Sequence, residues 1–109
     1  MARAELPGGV SIDPVAPATN DNCHLTYNGL LAKSGADKVY AHVGYGNPQK
    51  WFGIKEYEMK KHGESFVTEF RIEATDTLHI CFRDSINNWD NNSGKNWSTP
   101  VDSDYQSYA

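Results

Sequence analysis

His42, Trp51 and Trp89, with Asn87, Asn88, Asn91, Asn92 and Asn96, are the residues whose types could act together on a ligand. Five of the fourteen residues from Asp84 to Trp97 are asparagine. Trp51 and Trp89 stand in segments dominated by Gly, Asn, Pro and Lys. Tryptophans in such polar loops are poorly explained by core packing. The C–H face of a pyranose is apolar and stacks on an indole, whereas its equatorial hydroxyls need planar groups that donate and accept. Asn amides and an imidazole do both. Two indoles at a fixed angle would select a glucan of matching curvature. Each residue also has a plainer reading. A single Trp in a β-protein is commonly core, a strand His an ordinary residue, and Asn a turn former that tolerates left-handed backbone. The combination carries the functional reading. Trp97 is assigned to the core or to closing the loop.

Catalytic signatures fail one at a time. There is no Gly-x-Ser-x-Gly, no His-Glu-x-x-His and no phosphate loop. Gly44-Tyr45-Gly46 starts like a dinucleotide turn, but Gln49 stands where the third Gly belongs. Asp84 and Asp90 could be drawn as a glycosidase pair, and their plainer reading is aspartates that cap a loop. Cys23, His24, His79 and Cys81 lack the close Cys pairs of common zinc sites. Asp90-x-Asn92-x-Gly94 hints at a calcium loop, but Val101 occupies the position of the bidentate Glu. The expectation is a protein without catalysis, metal or cofactor.

The elements that must position these residues read as strands. Val39, Ala41 and Val43 share one face, with Tyr40 and His42 on the other. Lys55–Lys61 and Phe66–Glu73 alternate about a turn at His62-Gly63-Glu64, and Leu78, Ile80 and Phe82 line a third face. Asn28-Gly29 signals a hairpin between His24–Tyr27 and Leu30–Lys33, or a bulged continuation. Gly44–Gly53 reads as a loop holding Trp51, and Asp84–Trp97 as a long polar loop. No segment sustains a helical period. Short strands at short spacing give an all-β, antiparallel sandwich.

A chain of 109 residues holds one domain. Residues 1–22, punctuated by Pro and Gly, read as a leader or linker with a possible edge strand at Val10–Ile12. Residues 23–98 form the module and 99–109 a frayed tail. Fourteen acids against ten bases give no electrostatic reason to hold nucleic acid. No apolar run reaches the ~18 residues of a membrane span. Met1 to Pro17 lacks a signal-peptide layout, which suggests the cytoplasm for a complete gene product. Cys23 and Cys81 permit one disulfide and demand none.

Val39-Tyr40-Ala41-His42-Val43-Gly44-Tyr45, then Trp51, Met59 and Asn88-Trp89-Asp90-Asn91-Asn92-Ser93-Gly94-Lys95-Asn96-Trp97 resemble the starch-binding carbohydrate-binding module family 25. The related family 53 is also close. The likeness covers about Gly29 to Trp97, and the Asn-Trp-Asp-Asn-Asn-x-Gly-x-Asn-aromatic string is its specific part. It implies an immunoglobulin-like β-sandwich that binds α-1,4-linked glucans (starch, glycogen, maltooligosaccharides) without catalysis. His42, Trp51 and Trp89 match the family's strand histidine and its two stacking tryptophans. Asn91 and Asn96 match loop asparagines that contact sugar or shape the loop. The implied partners are an α-glucan and an associated or fused amylolytic enzyme, with an extracellular setting if the chain is part of a secreted amylase. An immunoglobulin-like protein-interaction module is the alternative, with the exposed aromatics as hot spots. Asn91-Asn92-Ser93 and Asn96-Trp97-Ser98 match the glycosylation acceptor pattern, and a glycan there would obstruct sugar contacts.

Overall fold

A computed structural model describes residues 3–102. Among them, ten strands and one helical turn follow in the order β1 (Ala4–Leu6), β2 (Val10–Asp13), β3 (Asn22–Tyr27), α1 (Leu30–Lys33), β4 (Val39–Asn47), β5 (Lys50–Glu58), β6 (Lys60–His62), β7 (Ser65–Arg71), β8 (Thr77–Asp84), β9 (Trp89–Asp90) and β10 (Trp97–Pro100). They form two antiparallel sheets, ordered β1-β2-β3-β7-β6 and β10-β8-β4-β5, with β9 paired to β8. The protein is an all-β sandwich.

Period-two alternation builds the core between the sheets. Leu78, Ile80 and Phe82 face inward from β8, and Val39, Ala41 and Val43 from β4, all essentially without solvent contact. Cys23, Leu25 and Tyr27 meet them from β3, with Phe66 and Phe70 from β7. Tyr27 stacks on Phe82 with ring centroids 4.1 Å apart, and Trp97 meets Phe82 edge-on at 5.3 Å. The Trp97 indole donates to the Pro7 carbonyl at 2.7 Å. This satisfies its one polar group in the core, and the assignment of Trp97 to the core holds.

The chain changes sheets at Met59, which is buried and donates its amide to the Val39 carbonyl at 2.9 Å. One sequence-derived strand over Lys55–Lys61 is therefore two, β5 and β6, in different sheets. The turn at Gly63 has φ +66° and returns the chain into β7 as expected.

Three readings need correction. Residues 4–13 are not merely a leader: β2 is an interior strand between β1 and β3, and it buries Val10 and Ile12 completely. Its Pro and Gly residues mark the ends of short strands rather than their absence. Thr99 and Val101, assigned to the tail, are buried at the end of β10, while residues 103–109 lie outside the described residues. Asn28-Gly29 makes no hairpin. The Tyr27 hydroxyl accepts the Leu31 amide at 2.9 Å, and the Gly29 carbonyl accepts that of Lys33 at 2.9 Å. The segment after Gly29 thus closes a helical turn instead of a strand. Both cysteines are free: Cys23 points into the core, and Cys81 lies on the opposite side of the second sheet.

Candidate functional site

The outer face of the β10-β8-β4-β5 sheet carries the groove. His42 in β4 is the register partner of Glu56 in β5 and Cys81 in β8. Tyr40, two residues earlier on the same face, partners Arg83, which in turn partners Trp89. Sheet pairing thus brings together residues scattered along the chain. The resulting groove, about 370 Å³ in volume, is lined by His42, Trp51, Trp89, Asn91 and Asn96 together with Ile54. All five expected site residues meet there.

Trp51 stands on a strand, not in a loop. The β4–β5 connection is only Pro48 and Gln49, and Lys50 already pairs with Asn47. The alternation that would have revealed this strand is hidden by an irregularity in register between Val43 and Tyr45. There Gly44 leaves room on the outer face: a Cβ at Gly44 would come within 2.7 Å of Trp51 Cε3 and 3.2 Å of Ile54 Cγ1. The missing side chain is the seat of the Trp51 ring. Its other support is His79, whose ring stacks on Trp51 at 5.2 Å between centroids. His79 is itself buried and bridges the Gly46 carbonyl at 2.6 Å and the Ser98 hydroxyl at 2.8 Å. The carbonyl can only accept, so Nε2 carries the proton toward Gly46. The Trp51 indole donates to the Pro48 carbonyl at 3.0 Å. Trp51 is therefore half-buried and fixed at both ring and edge.

Trp89 is held differently. Asp84 organises the preceding turn by accepting from the Ile86 and Asn88 amides at 3.0 and 2.8 Å and from the Asn88 side chain at 2.9 Å. Burial works against its charge, but these donors outweigh it and hold the Asp84 carboxyl below its usual range. Asn87, Asn92, Ser93 and Asn96 all have positive φ, a conformation that asparagine tolerates well. Asn91 accepts the Gly94 amide through its side chain at 3.0 Å, and Asn92 donates from its side chain to the Asn96 carbonyl at 3.0 Å. Asp90 accepts the Tyr27 hydroxyl at 2.5 Å, tying the loop to the core. Burial, then the Asp90 carboxylate, raises the Tyr27 pKa and keeps that phenol a donor. The loop thus presents Trp89, which is 46% exposed.

His42 stands against both indoles, with centroids 5.9 Å from Trp51 and 5.2 Å from Trp89, the latter edge-on at 87°. Its Nδ1 lies 3.0 Å from a Glu56 oxygen. A carboxylate only accepts, so Nδ1 carries a proton, and Nε2 of the neutral ring is an acceptor. Arg83 grips Glu56 with two bonds of 2.8 Å and lies over the Tyr40 ring at 4.4 Å. The Arg83 hydrogen bonds, with a smaller one from His42, lower the Glu56 pKa and keep it charged.

Glu56 and Arg83 were missed in the sequence, and His79 was weighed there only as a metal ligand. A signal for Glu56 existed in the alternation of β5, but its pairing with His42 required the register. His79 lies opposite Leu78, Ile80 and Phe82 on β8, so alternation alone places it in solvent. Trp51 covers it instead. The suggested Cys23, His24, His79 and Cys81 set is not assembled: His79 is engaged as above, and burial pushes the Cys23 and Cys81 thiols up to about 12 and about 11. Among the described residues no three His, Cys, Asp or Glu side chains converge on a metal position, and no helix is long and apolar enough to cross a membrane. Comparison with known families, curated proteins and solved structures finds no match for the chain.

Proposed function

We propose that this sandwich is a non-catalytic module that binds α-1,4-linked glucans. The observation that carries the reading is His42 set against both Trp51 and Trp89 in one open groove with Asn91 and Asn96. The indoles offer apolar faces to successive glucose rings. His42 Nε2 and the Asn amides supply acceptors and donors for hydroxyls. Both aspartates that might have acted as a glycosidase pair are occupied in loop hydrogen bonds, which favours binding over turnover. The strand order supports the immunoglobulin-like part of the reading: β2-β3-β7-β6 follows the A-B-E-D order, and β10-β8-β4 the G-F-C order. The module would serve an amylolytic enzyme, fused or associated.

Because the groove is open and water competes for hydroxyls, affinity should be modest, about −4 to −8 kcal/mol. A proton–nitrogen NMR titration with maltoheptaose, with cellohexaose as control, tests this. The expected result is movement of the Trp51 and Trp89 indole signals with the α-glucan only. Silence toward both sugars at millimolar concentration would reject the reading. Ile54, which lines the groove and is 50% exposed, favours a second reading as a protein-interaction surface.

A further inference from the structure

Trp89 belongs to two grooves. One of its sides closes the His42 groove, and it also lines a second depression of about 490 Å³ between α1 and the turn that joins β8 to β9. Leu30 and Ile86 stand in that second depression, 62% and 78% exposed. Ser34, Ser85 and Asn88 also line it, as do Asp37 and Asp84. The size falls within the roughly 300–1,000 Å³ of ligand clefts. The walls are also tied together from beneath. The single Tyr27 hydroxyl accepts the Leu31 amide of α1 and donates to Asp90 of β9, at 2.9 and 2.5 Å.

We propose that the glucan face continues past Trp89 into this depression, so that the protein prefers long α-glucan chains to short ones. The proposal rests on the α-glucan reading above. Its argument is continuity: Trp89 lines both grooves, so a chain that occupies the His42 groove and runs on past that ring enters the depression. The depression offers both apolar side chains and short polar groups, which suit the C–H faces and the hydroxyls of sugar rings. A protein partner would be better served by continuous apolar area. Leu30 and Ile86 are exposed and outside the core, so they can be changed without disturbing the sandwich.

The test compares maltotriose with maltoheptaose by calorimetry and by methyl NMR, using the unaltered protein and the double variant Leu30→Ser, Ile86→Ser. Equal thermal melting of the two proteins checks the fold. Maltoheptaose is expected to shift the Leu30 and Ile86 methyl signals while maltotriose shifts mainly the Trp51 and Trp89 indoles. In the double variant the maltoheptaose affinity should fall about tenfold, with maltotriose unchanged. If maltotriose binds at the indoles but the double variant keeps its full affinity for maltoheptaose, the extension is overturned and the α-glucan reading stands. An equal loss for both sugars also overturns it, because the substitutions would then act through Trp89. Binding of neither sugar by the unaltered protein removes both ideas.

Discussion

Trp51 and Trp89 face the same histidine but are held by different means. Trp51 rises from a strand, seated in the space left by Gly44 and stacked on a buried His79. Trp89 sits on a two-residue strand presented by a loop whose shape comes from Asp84, from asparagines with positive φ and from one bond to Tyr27. Packing positions the first ring, and hydrogen bonds to backbone position the second. Packing resists change because displaced atoms must find new neighbours. A hydrogen-bonded loop is specific but has fewer contacts to lose, so its ring should be easier to move without unfolding the domain.

Substitutions can break this contrast. The largest effects are expected from Trp51→Ala and Trp89→Ala, each costing about 1–3 kcal/mol of glucan affinity by analogy with base–aromatic stacking. Trp51→Ala should lower folding stability more than Trp89→Ala, by about 1–2 kcal/mol, since the Trp51 ring packs on His79 and in the space at Gly44. Calorimetric titration and chemical denaturation read the two quantities separately. Collapse of the fold in Trp89→Ala would erase the distinction. Next comes Gly44→Ala, which adds a methyl 2.7 Å from the Trp51 ring. It should displace that ring and destabilise by about 1–3 kcal/mol, as overpacking does. The Trp89 indole signal should stay in place in the NMR spectrum.

Tyr27→Phe sharpens the other side of the contrast. It keeps the core ring but removes the hydroxyl that holds Asp90 and Leu31. A hydrogen bond to a charged group is worth about 1.5–3 kcal/mol, which sets the upper end of the expected loss. Faster exchange of the 89–96 amides should accompany it, while the amides around Trp51 remain protected. Ser98→Ala has the smallest expected effect, about 0.5–1.5 kcal/mol, because it removes one bond to His79. A loss confined to stability, with unchanged sugar binding, would show that Trp51 keeps its seat on packing alone.

Acid probes both walls at once. Glu56 and Asp84 have carboxyl pKa values held below their usual range. Their contribution is therefore present above the unfolded-state value of about 4 and is lost as pH falls through the lower folded-state values. Stability measured by denaturation should decline below about pH 4, and Glu56→Gln should reduce the slope of that decline. An identical slope in the variant would mean that the Arg83 grip on Glu56 contributes nothing to folding.

Much of the framework was legible because alternation reports burial directly. Leu78, Ile80 and Phe82, or Phe66 and Phe70, could hardly face anything but a core. Trp97 was assigned to the core or to closing the polar loop, and the strand it opens became visible only in the structure. The start of β5 was obscured because the irregular register at Gly44 breaks the alternation that identifies a strand. The possible edge strand at Val10–Ile12 is an interior strand, and β1 was obscured because short strands between Pro and Gly carry too few residues for a period to register. Asn28-Gly29 misled because local turn chemistry cannot know that Tyr27 will use its hydroxyl to nucleate a helical turn.

By itself, the sequence determined the all-β class, the apolar faces of its strands and the residue types available for a sugar-like ligand. Those follow from period and side-chain chemistry, which are local properties. Tertiary structure decided that His42 would stand between two indoles, that Glu56 and Arg83 would orient it, and that His79 would vanish beneath Trp51. Each of these depends on strand register and sheet order, which bring together residues tens of positions apart and have no local signature.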